Sequence, residues 1–129
     1  MPTDHDLIGA FLSSYGRALS AGDLPAIVAC WDIPSLVLHD AGGRAVTATA
    51  EVEAFFAGTA AWYQAQGLLA TRPESWTVTG LSPALWSVDV RWSALNRDGV
   101  WSPSDHSQYI LRSTDEGALV ISVAITLPA

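Results

Sequence analysis

Apolar and polar positions alternate without a break from Trp86 to Trp92: Trp86, Val88, Val90 and Trp92 fall on one side, Ser87, Asp89, Arg91 and Ser93 on the other. A period of two built from aromatic and β-branched residues predicts a strand with one dry face. A second arm, Ser104 to Arg112, returns after Asn96-Arg97-Asp98-Gly99 and mixes polar with apolar residues. A two-residue Asp98-Gly99 turn would place His106 beside Arg91. A type I turn over Asn96–Gly99, with Gly99 as a left-handed bulge residue, suits the residue types better. That register sets Val90 against His106, Val88 against Gln108, Trp86 against Ile110 and Arg91 against Asp105. It predicts an apolar face with two embedded polar groups, His106 and Gln108. A one-residue slip would reverse every side chain.

The three- and four-residue spacing of Ile8, Phe11, Leu12, Tyr15 and Leu19 predicts a helix over residues 4–21 with Tyr15 on its buried stripe. Thr3 or Asp4 can cap it, and Gly22 ends it. Asp23 caps a short second helix with Pro25 in its first turn. Asp32-Ile33-Pro34 then breaks the helical pattern. Ser35–Asp40 reads as a strand with Leu36, Leu38 and Asp40 sharing a face, followed by a turn at Ala41-Gly42-Gly43 and a short return over Arg44–Thr47. A third helix is expected from Thr49 to about Gln66, with Val52, Phe55, Phe56, Thr59, Trp62 and Tyr63 as its inward stripe. Leu68–Thr79 is a strand that Pro73 marks as an edge or a bulge. Ala118–Leu127 alternates as the last strand. Helices first and strands afterwards give an α+β class: one domain over residues 1–129, with a curved, mainly antiparallel sheet wrapped around three helices and an open conical pocket.

Composition narrows the partners. Half of the 129 residues are hydrophobic and six are Trp, enough for a substantial core. The net charge is −7, and all six cations are Arg. That excludes the basic face a nucleic acid demands and argues against an anionic membrane surface. No apolar run reaches membrane-spanning length, and no signal-peptide pattern opens the chain. One cysteine, Cys30, allows no internal disulfide and fits a cytoplasmic protein. Three His at no ligand spacing offer no metal site, and no phosphate or dinucleotide loop is present, so no cofactor is expected.

The order of elements, together with the phrases YGRALSAGD (Tyr15 to Asp23), AIVACW and VLHDAGG, resembles the nuclear transport factor 2-like superfamily, a cystatin-like fold. Ketosteroid isomerases, scytalone dehydratase and SnoaL-like polyketide cyclases belong to it, beside proteins that catalyse nothing. The resemblance covers nearly the whole chain and implies the cone. By position, Tyr15 matches the isomerases' first-helix tyrosine and Asp40 their strand-end base, with a one-residue insertion near Ile33. His106 falls where those enzymes carry a protonated aspartic acid, a departure from their pattern.

The candidate catalytic set is therefore Asp40 as general base, with Tyr15 and His106 as donors to a developing enolate oxygen. The plain role of opening the turn Asp40-Ala41-Gly42-Gly43, a very common one for Asp, is the reading set against catalysis by Asp40. Phe11, Trp31, Phe55, Phe56, Trp62, Trp86, Val88, Trp92 and Gln108 are the candidate ligand-binding residues, walls for a small apolar molecule. Trp76 and Trp101 are expected on the outer sheet face, where they would suit a homodimer formed through the sheet. Two functions stay open: a cofactor-free isomerase or lyase acting on a small apolar carbonyl compound, and a non-catalytic ligand-binding or dimerisation module.

Overall fold

The computed structural model describes residues 1–128. Helix α1 (Asp4–Ala21) opens with a capping box: Thr3 Oγ1 accepts from Asp6 N, and the Asp6 carboxylate accepts from Thr3 N. Gly22, at φ 65°, closes it. Helix α2 (Leu24–Ala29) starts under the Asp23 carboxylate with Pro25 in its first turn. Strands β1 (Trp31–His39) and β2 (Gly42–Val46) form a hairpin. Helices α3 (Thr49–Phe56) and α4 (Thr59–Ala65) follow, then β3 (Leu68–Ser82), β4 (Leu85–Asn96), β5 (Trp101–Ser113) and β6 (Leu119–Leu127).

The six strands form one open sheet in the order β2-β1-β6-β5-β4-β3. Only β1 and β6 run parallel; the other pairs are antiparallel. The helices lie on one face, as expected for an α+β cone. The stripe Ile8, Leu12, Tyr15 and Leu19 packs on Val88, Val90, Trp92, Tyr109, Leu111 and Ile121. Two glycines let α1 approach β3 closely: a Cβ at Gly9 would overlap the Trp76 indole, and one at Gly16 would stand 2.9 Å from the Thr71 carbonyl oxygen. As Pro73 foretold, β3 is an edge strand, with a register shift between Pro73 and Ser75.

The β4–β5 hairpin corrects the expected register. Its turn is the expected one: Gly99 sits at φ 79°, Gly99 N donates to Asn96 O, and Asn96 N donates to Val100 O. Pairing then runs Leu95 to Trp101, Ala94 to Ser102 and Ser93 to Pro103. A second bulge follows, because Trp92 pairs with Asp105 and leaves Ser104 over. Pro103 has no N–H to give the ladder, which favours such a break. Beyond it Arg91 pairs with His106, Asp89 with Gln108 and Val88 with Tyr109. His106 and Gln108 therefore stand on the outer face, and Asp105, Ser107, Tyr109 and Leu111 face the helices.

The third helix is likewise two helices. Ala57-Gly58 interrupts it, a position of low helix propensity. Within α3 Val52 is buried while Phe55 is 56% exposed, and beyond the interruption, which resets the phase of the stripe, Trp62 is 57% exposed.

Of the two tryptophans expected on the outer face, Trp101 is there, opposite Leu95 on the side of Ser93 and Arg91, and Trp76 is not. Trp76 packs inward against α1, stacks on His5 at 4.8 Å and donates its indole N–H to His5 O. His5 is thereby clasped near the terminus. Trp101 lies under the Arg72 guanidinium, 3.9 Å from the ring centroid.

Candidate functional site

Between the C-terminal half of α1, the start of β1, α3–α4 and the inner face of the sheet lies a cavity of about 260 Å³. Tyr15 enters it from α1 because it lies one helical turn beyond Phe11 and Leu12 on the buried stripe. Trp31 enters from the first residue of β1, and Trp92 and Tyr109 from adjacent sheet strands. Phe56 and Tyr63 close it from the helical side. The aromatic rings form two groups. Trp31 and Phe56 are 5.9 Å apart by centroid, Tyr15 and Trp92 6.3 Å, and Tyr15 and Tyr109 6.5 Å edge to face.

Polar groups are few. The indole Nε1 of Trp31 is buried and has no hydrogen-bond partner. Thr71, Ser107 and Thr126 add hydroxyls to the wall, and Asp105 is its one carboxylate. Asp105 is exposed and also lines an adjoining hollow of about 470 Å³, which shares Phe55, Phe56 and Tyr63 and adds Trp62. Asp105 and Tyr63 thus mark the mouth, and Tyr15, Trp31 and Tyr109 the depth. Burial raises the Tyr15 phenol well above its usual range, and Tyr109 adds to the rise. The Trp31 indole N–H, close by but not in hydrogen-bond geometry, opposes it. Burial pushes Tyr109 up to about 12, with Asp105 adding to it, and burial followed by Asp105 raises Tyr63. All three phenols are neutral donors near pH 7.

The structure does not bring the expected catalytic trio together. Tyr15 is inside. Asp40 is exposed in a two-residue turn with Ala41, since His39 already pairs with Gly42. Leu36 and Leu38 share the outer face, since Val37 lines the cavity and Leu36 is exposed, and Asp40 lies beyond the strand. His39 is exposed and accepts from Ala41 N through Nδ1. His106 Nε2 lies 2.8 Å from Asp89 Oδ2 on the outer face, where the Ser104 bulge puts it.

Of the expected ligand-binding residues, Trp31, Phe55, Phe56 and Trp92 line the cavity, and Trp62 lines the adjoining hollow. Phe11 and Trp86 border a separate hollow near the start of α1, where Trp86 Nε1 donates to Asp4 Oδ2. Val88 is core with no exposed surface. Gln108 donates to Ser87 Oγ on the outer face. Burial pushes the Cys30 thiol up to about 11, in keeping with a small buried hydrophobe and not a nucleophile. Asp105, Tyr63 and Tyr109 were missed. The signal for two of them was present: once Ser104 is set aside as a bulge residue, Asp105, Ser107, Tyr109 and Leu111 alternate on one face.

Residues 4–128 match the profile of a family described as NTF2-like protein (DUF6841). No functionally curated protein matches the chain by sequence. Several solved structures share the fold at low identity. An NTF2-like protein with a cystatin-like fold from Novosphingobium aromaticivorans has 18% identity and a TM-score of 0.71, over 93% of this chain and 78% of that one. An NTF2-like protein of unknown function from Shewanella oneidensis has 18% identity and a TM-score of 0.65, over 99% and 100% of the two chains. A ketosteroid isomerase-like protein from Erwinia carotovora atroseptica has 15% identity and a TM-score of 0.63, over 98% and 97%.

Proposed function

We propose that this chain, which belongs to the NTF2-like family that matches residues 4–128, is a binding domain for one small, mostly apolar molecule carrying an acceptor oxygen. The ligand occupies the cavity among Tyr15, Trp31, Phe56, Trp92 and Tyr109. The observation that carries this reading is the Trp31 indole N–H, buried in the cavity wall without a partner. A donor left unpaired in a dry site costs about 1–3 kcal/mol, and a ligand oxygen removes that cost. The neutral Tyr15 phenol supplies a second donor at the same depth. At about 260 Å³ the cavity lies at the small end of ligand sites, which limits the occupant to a compact molecule.

Binding without turnover is the better supported of the two functions left open by the sequence. The exposed turn position of Asp40 and the outer-face position of His106 leave Tyr15 without either expected proton-transfer partner. The test is calorimetric titration with acetophenone and, as its oxygen-free counterpart, ethylbenzene. Acetophenone should bind about tenfold tighter, the value of one hydrogen bond to an otherwise unpaired donor. Trp31→Phe should bring the two ligands level. Equal affinity for both in the unaltered protein, or no binding of either, would sink the proposal.

A further inference from the structure

Seven aromatic residues, Tyr15, Trp31, Phe55, Phe56, Tyr63, Trp92 and Tyr109, line one cavity whose mouth carries the Asp105 carboxylate. Among the described residues no Arg, Lys or His lines it. An oil-like pocket needs neither a carboxylate nor so many electron-rich ring faces. Aromatic faces attract cations through their quadrupoles, and the attraction grows as water is excluded. An anionic ligand would meet the opposite: ring faces, a carboxylate, no cation, and a chain of net charge −7.

Resting on the cavity reading above, we infer that the ligand is a small methylated ammonium cation. Its charged head sits among the rings of Tyr63, Phe55 and Phe56 with Asp105 as counter-charge. Its oxygen reaches inward to the Trp31 N–H. The placement follows from the layout, because Asp105, Phe56 and Tyr63 line both the inner cavity and the outer hollow, at their junction. The field of Asp105 reaches inward as well: its negative charge raises both the Tyr63 and the Tyr109 phenol. A methylated ammonium is the cation that suits such a place. It spreads its charge over an apolar surface, is weakly hydrated, and gives up little hydrogen bonding to water on entry.

The test compares choline with its neutral carbon isostere, dimethylbutanol, by calorimetric titration against a potassium chloride blank. The two differ in charge and hardly in shape, and both carry a hydroxyl oxygen for Trp31. Choline should bind about tenfold tighter than the isostere. Asp105→Asn, a change at an exposed position, should weaken choline severalfold and leave the isostere unchanged. If the isostere binds as tightly as choline, or if acetophenone binds and choline does not, the cation assignment is wrong and the cavity reading stands. If acetophenone, choline and the isostere all fail to bind, both fall together.

Discussion

Asp32 accepts two hydrogen bonds from Arg112, at 2.8 and 2.9 Å, and a third from Ser122 Oγ at 2.8 Å. The Arg112 guanidinium is the main cause that holds its carboxyl below the usual range; Ser122 and the Ile33 amide act in the same sense, against the effect of burial. A folded-state value below the unfolded one contributes stability above the unfolded value of about 3.9, and that contribution is lost as pH falls through the folded value. Asp32→Asn should therefore be less stable than the unaltered protein at pH 7, with the difference shrinking below about pH 4. Urea unfolding at both ends of that range checks this; a gap independent of pH would contradict it. In the sequence Asp32 read only as part of a helix break, because its partners lie 80 and 90 positions away. Tyr15 was legible, since a helical stripe fixes its direction from local spacing alone. Asp40 was legible in part, since its turn was read beside the catalytic role; His106 was not, because the extra residue Ser104 reverses its face.

At the level of elements, most of the fold could be read from period and punctuation. The capping box on α1, Gly22, Asp23 with Pro25, Pro73 on the edge strand and the Gly99 turn all act where their chemistry places them. What escaped was phase. Gly58 resets α3–α4, and Ser104 resets β5, each by local events that a uniform period hides. The second can be tested. Ser104 is the extra residue, so deleting it joins Pro103, opposite Ser93, directly to Asp105, opposite Trp92, and leaves Tyr109 and Leu111 inward. Deleting Ser107, beyond the bulge, instead shifts the rest of β5 by one and turns Tyr109 and Leu111 out. Leu111 has no exposed surface and Tyr109 is nearly as buried. At about 1.5–3 kcal/mol per large side chain, the Ser107 deletion should cost more than about 3 kcal/mol or abolish folding, and the Ser104 deletion less than about 1 kcal/mol. Equal losses for the two deletions in urea unfolding would show that Ser104 does not set the face assignment.

For the whole molecule, one sheet and four helices enclose a wet-mouthed, aromatic-walled space whose only depth-placed N–H without a partner is that of Trp31 among the described residues. Composition foresaw the apolar walls. It could not foresee the carboxylate at the mouth, because Asp105 joins the wall only after the Ser104 shift. Function rests on whether a ligand meets that N–H. The most direct measurement is the proton–nitrogen spectrum of the six tryptophan indoles, assigned by Trp31→Phe and followed as acetophenone is added. The account predicts that the Trp31 Nε1–H signal moves downfield and saturates, with the indoles of Trp76 and Trp86, already bonded to His5 and Asp4, unmoved. A Trp31 signal that stays still while acetophenone shifts other indoles, or a spectrum that does not change at all, would contradict it.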